Sequence, residues 1–322
     1  MWFKNIQVYR FTKPFALSAE HIHQQLAEQG FQACGSQDRS KLGWVPPLGD
    51  QASEYVHVAN GYILVCLKKQ DKVLPAAAVN EALEEKISDI QAAEARRVGR
   101  KERQQLKDDI VISMLPRAFT RSTRHYAYFA PEEGLLVVNS ASANRADELV
   151  SSLREALGSL PVIPAISRNI PQQIMTLWLQ QGRAAQGFEL GHECELRDPS
   201  DEGGIIRCQH QNLGGKHILN HIEEGMYVSK LGLCASNGIE CVIDEKLAIK
   251  RLVYGDIIQE KVQQVDAEDA AQQFDVDFSI MTLELSAFIK QLFMAFGGED
   301  LSACEQAGVK GDETSEALLA EA

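Results

Sequence analysis

The residues of this chain best suited to chemistry are cationic, and they cluster. Arg96, Arg100, Arg103 and Lys107 are spaced so that a helix would set them within about 60° of one another. Arg97 and Lys101 add charge to the same segment. A phosphate backbone is a line of negative charge, and such a stripe can follow it while releasing counterions. The same pattern also suits a solvated helix face, with Glu102, Asp108 and Asp109 close enough to pair locally. A third reading is an interaction module that docks an acidic protein through this helix. A second cluster follows in Leu115–Arg124, where Arg117, Arg121 and Arg124 alternate with hydroxyls and Phe119 and no acidic residue interrupts. Arg, Ser and Thr are the usual phosphate donors. Phe119 is open to three roles: stacking on a base, anchoring an interface, or filling a core.

Other chemistries find less support. His217 and His221 are four apart, but Ile218 stands where a catalytic zinc helix needs Glu, and no CxxC pair accompanies them. Neither a metal nor a cofactor is expected. The phosphate-binding patterns GxGxxG and GxxxxGK[ST] are missing, as is the nucleophile motif GxSxG. The chain is therefore not expected to be an enzyme. Its seven scattered cysteines suggest reduced thiols and a cytoplasmic home. No apolar run reaches bilayer length and no signal segment opens the chain, so no membrane partner is expected.

These residues must be positioned by a 322-residue chain of net charge −13. That total hides a segregation. Residues 86–124 carry ten basic and five acidic groups, whereas residues 255–322 carry three and fifteen. A local positive field on an acidic body is thus available.

Hairpins are expected around Asn60-Gly61 and around 131–134, and a meander around Asn237-Gly238. Ser18 caps a helix that stops at Gly30, a helix runs from Ser142 to Gly158, and Pro171 opens another. One long helix is expected over about 76–110, with Gly99 a candidate break. The fold class is α+β with antiparallel sheets. The expected organisation is an α+β body of 1–75 with 160–298, a projecting helical region of 76–115, a hairpin-plus-helix unit of 116–160, and a disordered acidic tail of 299–322.

The chain also resembles a known family, the RdgC recombination-associated proteins of bacteria. The likeness is carried first by Trp2-Phe3-Lys4-Asn5, Cys34-Gly35-Ser36-Gln37-Asp38, Gly43-Trp44-Val45-Pro46-Pro47 and His57-Val58-Ala59-Asn60-Gly61. Leu115-Pro116-Arg117-Ala118-Phe119, Gly158-Ser159-Leu160-Pro161-Val162, Ala185-Gln186-Gly187-Phe188 and Asn220-His221-Ile222 continue it. Lys250-Arg251-Leu252, Phe274-Asp275-Val276-Asp277-Phe278 and Met281-Thr282 complete the collinear set.

The resemblance implies a ring-shaped homodimer, nucleoid-associated, that binds double- and single-stranded DNA with little sequence preference. It further implies restraint of the RecA recombinase. Phe119 then matches an aromatic at a ring-closing subunit contact. His210-Gln211 matches a Lys-Gln pair that contacts DNA, with an imidazole here in place of the family's fixed charge.

Overall fold

A computed structural model of the chain describes residues 1–49, 52–200, 203–265 and 268–302. The chain opens with β1 (Gln7–Phe11), α1 (Ala19–Glu28), β2 (Ser40–Val45), β3 (Val56–Ala59) and β4 (Tyr62–Val73). Then come α2 (Ala76–Glu94), α3 (Arg100–Met114), a 3₁₀ turn over Leu115–Arg117, β5 (Phe119–Ala130), β6 (Leu135–Val138), α4 (Ala143–Ala156) and β7 (Val162–Pro164). The second half runs α5 (Pro171–Gln181), β8 (Phe188–Arg197), β9 (Ile205–Cys208), α6 (Lys216–Glu223), β10 (Tyr227–Ala235), β11 (Ile239–Asp244) and β12 (Ile249–Tyr254). Two helices close it, α7 (Asp256–Gln263) and α8 (Ala270–Ala295).

The class is α+β, with two antiparallel sheets. The first orders its strands β2-β4-β5-β6-β1-β7, with β3 pairing the first four residues of β4. The second is β12-β11-β10-β8-β9. A bridge between Ile6 and Ile249 joins them. Successive side chains of a strand point to opposite faces, and here both faces of the first sheet are covered. Tyr62, Leu64 and Tyr128 join a core shared with the second sheet and α8. Ile63, Val65, Ala127 and Phe129 join a second core with α1 and α4. That is why β6 reads Leu-Leu-Val-Val with no polar alternation, all four residues being buried. Helix α8 has the length and hydropathy of a membrane span. Its stripe of Phe278, Met281, Leu285, Phe288 and Leu292 is instead buried in the first of these cores.

Local signals hold where they were strong. Asn60 and Gly61 have φ of 51° and 80°, the double positive φ of a type I′ turn. Ser18 accepts a hydrogen bond from the His21 amide at 3.2 Å.

The single helix over 76–110 does not form. The chain breaks at Ala95 (φ 49°) and restarts after Gly99, so α3 folds back on α2. A straight helix would leave the stripe of Val79, Leu83 and Ile87 in water. The fold-back buries it, with Leu106, Ile110 and Met114 of α3 half-covered. None of the buried residues of this helical pair belongs to either core.

The hairpin-plus-helix unit of 116–160 is likewise not separate. β5 pairs β4 from Ile63–Phe129 to Val73–Phe119, β6 pairs β1, and α4 covers the sheet. Residues 299–302, assigned to the tail from the sequence, are part of the described structure, and Glu299 is gripped by the Arg10 guanidinium. Residues 303–322 lie outside the described residues.

Candidate nucleic-acid interface

The β4–β5 ladder outruns β6, while β2 stays beside β4 as far as Asp71. β6 meets β5 only as far as Ala127, opposite Val138, while β4 and β5 stay paired to Val73 and Phe119. The result is a ribbon that ends in the α2–α3 helical pair. Because the register is continuous, its two faces follow from strand parity. Lys68, Gln70, Lys72, Thr120, Ser122 and Arg124 continue the face that carries Tyr62, Leu64 and Tyr128, the side on which the second sheet lies. From β2, Lys41 joins that face opposite Gln70. No ladder residue on it is acidic.

Lys68 sits over the Phe31 ring at 4.6 Å, which holds its ammonium in place while leaving donors available. Gln70 donates to the Ser122 hydroxyl at 3.2 Å. Cations and hydroxyls spaced along an extended ladder form an arrangement suited to successive phosphates.

The opposite face differs. Arg121 lies opposite Asp71, and Lys69 pairs with Glu148 of α4 at 2.7 Å. His125 is half-buried there, and its pKa is lowered by burial and by Arg145. At the tip of this face Phe119 is 87% exposed, directly opposite the exposed Val73. At that exposure Phe119 fills no core within this chain, so of its three expected roles the core-filling one is excluded.

The stripe expected from Arg96, Arg100, Arg103 and Lys107 is broken. Arg96 lies in the α2–α3 connection, bonded to Glu94 and to both oxygens of Glu102, at 2.6 and 2.7 Å. These bonds raise the Arg96 pKa and lower that of Glu102. Arg103 pairs with Glu84 across the helical pair. Arg97, Arg100, Lys101 and Lys107 remain exposed, as does Arg117 in the 3₁₀ turn. The segment 96–124 is thus gathered at one end of the ribbon, while period-two alternation separates Arg121 from Arg124.

His210 and Gln211 are elsewhere, in the loop after β9 on the second sheet. His210 has φ 53°, and the Gln211 amide donates to the His192 carbonyl at 3.1 Å. His210 lines a cleft of about 430 Å³ with His192, Glu193 and Arg251. Among the described residues no three His, Cys, Asp or Glu side chains are placed to hold a metal ion.

Sequence reasoning missed Lys41, Lys68 and Lys72. The available signal was Lys68-Lys69-Gln70-Asp71-Lys72, whose even positions are free of acid. It also missed Glu195 on β8, whose side chain is 3% exposed and binds Lys230 at 2.7 Å, Arg207 at 2.9 Å and Arg197 at 3.0 Å. These bonds, with one from Ser229, outweigh burial and hold its pKa at about 2.

A carboxyl whose folded pKa is depressed stabilises above its unfolded value near 4.3 and loses that contribution as pH falls toward 2. With screening by its exposed partners the contribution is about 2 kcal/mol. Denaturant titrations at pH 7 and pH 3 should show Glu195→Gln costing about that much at pH 7 and about half as much at pH 3. An equal cost at both would contradict this role.

Fold and charge together define an α+β, two-sheet protein that presents a basic β-ribbon on an acidic body. The comparisons go further. Residues 1–299 match the family model described as "Putative exonuclease, RdgC". The "Recombination-associated protein RdgC" of Psychromonas ingrahamii is 42% identical over 299 residues, covering 93% of this chain and 99% of that relative. The protein of the same name from Aeromonas hydrophila is 43% identical over 302 residues, or 94% and 100% of the two chains. That from Tolumonas auensis is 44% identical over 299 residues, or 93% and 99%. The chain belongs to the RdgC family, whose members are associated with recombination.

Proposed function

We propose that this protein binds DNA without reading sequence, closes around it as a two-fold ring through Phe119, and restrains RecA-dependent recombination by occupying the DNA. It acts as a binding protein rather than an enzyme, in the cytoplasm on the nucleoid. The observation that carries this reading is the ladder face of Lys41, Lys68, Lys72 and Arg124, which has no acidic strand residue, its nearest carboxylate being Asp38 at 3.6 Å from Lys41. Cations on a strand ladder meet phosphates and leave base edges unread, so affinity follows charge rather than sequence. An acidic exterior then helps, since it repels DNA away from the basic faces.

Encirclement has a topological signature. Complexes on covalently closed circular duplex should survive a high-salt wash that strips the protein from short linear duplex. Equal loss from both would contradict a closed ring. Incubating the same complexes with magnesium addresses the family model's exonuclease description, and the binding-protein reading predicts uncut DNA. Duplex-stimulated release of nucleotides would overturn that part.

A further inference from the structure

Another group of cations gathers where the start of α4 meets the second sheet. A cleft of about 340 Å³ is lined there by Arg197, Lys230, Lys246 and Lys250, and on its other wall by Ala141 and Ala143. Ala143 is the first residue of α4, and the Ser142 cap makes no side-chain hydrogen bond to that turn. The helix thus brings uncapped first-turn amides and the positive end of its dipole to the cleft wall.

The cations are held in place. Buried Glu195 fixes Arg197 and Lys230 from behind. Lys250 is tied to Asp244 at 2.7 Å, and Lys246 is exposed on the turn between β11 and β12. Of the two acids lining the cleft, Asp244 is the partner of Lys250, and Glu245 accepts from Gln172 at 3.1 Å.

We propose that this cleft takes a phosphate group and, resting on the DNA-binding reading above, that the phosphate belongs to the DNA backbone. Flexible ammonium groups and helix-terminal amides, with the Arg197 charge held beside them by Glu195, are a donor set that phosphate oxygens satisfy together. Strand parity sets Glu195, Arg197 and Lys230 on the face of the second sheet opposite the one packed in the core, where a backbone phosphate can approach from solvent. The cleft is a second anchor, supplied by residues 197–250 rather than by the basic segment 96–124.

The test compares the full-length protein with Lys230→Ala/Lys246→Ala and Lys230→Arg/Lys246→Arg, titrating one duplex at several salt concentrations and, separately, inorganic phosphate. The alanine pair is expected to lower the slope of log K against log salt by between about one and two, since Lys230 shares its charge with Glu195 while Lys246 is exposed, and the arginine pair to restore it. Should the double variant not fold, Lys246→Ala alone touches an exposed side chain and is expected to lower the slope by about one. Unchanged slopes with wild-type binding intact would overturn the anchor. Loss of inorganic-phosphate binding without any change toward duplex would mean that the cleft takes free phosphate, which overturns the backbone assignment. Failure of the wild type to bind duplex at all would overturn the DNA-binding reading itself, a distinct outcome.

Discussion

Replacing Phe119 with serine is expected to raise the dimer dissociation constant several hundredfold while leaving the subunit folded. The ring is 87% exposed within one subunit, so the fold gains little from it. Burying a phenyl ring at a contact contributes about 2 kcal/mol. A two-fold contact carries each side chain twice, giving about 4 kcal/mol per dimer and a change approaching a thousandfold. Val73, opposite Phe119 and also exposed, is expected to share the same contact. Sedimentation equilibrium measures the constant and thermal melting checks the fold. An unchanged dimer constant would remove Phe119 from the interface and reopen its alternative as a base-stacking residue.

The second large effect is expected on the ribbon. Lys68→Ala/Lys72→Ala removes two cations from the ladder face. Each phosphate contact adds about 0.9 to the salt slope, so two lost contacts weaken binding about thirtyfold near 0.15 M salt. Arg96→Ala and Arg103→Ala should change affinity by less than about twofold, because carboxylates already hold both guanidiniums. Fluorescence anisotropy with one labelled duplex ranks the four substitutions. If the arginine changes prove the costlier, the helical pair rather than the ribbon meets DNA.

What could be read from the sequence was local. The Asn60-Gly61 turn, the Ser18 cap and the helix opened by Pro171 depend on residues a few positions apart, and each appears as expected. The α2–α3 break was hidden because an apolar stripe looks the same whether a helix runs on or folds back. Only the need to bury Val79, Leu83 and Ile87 decides between them. Strand β4 was legible to Leu67, where its apolar run ends. Beyond that point both faces of the ribbon are polar, so the periodicity that marks a half-buried strand disappears while the ladder continues to Val73. The candidate site suffered most from this. Arg124 was found through its basic neighbourhood, whereas Lys41, Lys68 and Lys72 come together only when β2, β4 and β5 pair. Glu195 is one carboxylate among many in an acidic chain until three strands bring Arg197, Arg207 and Lys230 to it.

The central claim is that charge on one face of an acidic protein holds DNA irrespective of sequence. Titrating the full-length protein with two duplexes of unrelated sequence, from about 0.05 to 0.3 M salt, tests it most directly. The account predicts parallel lines of log K against log salt, steeper than about −4 and nearly superimposed. Flat lines, or lines separated by more than about tenfold between sequences, would contradict it.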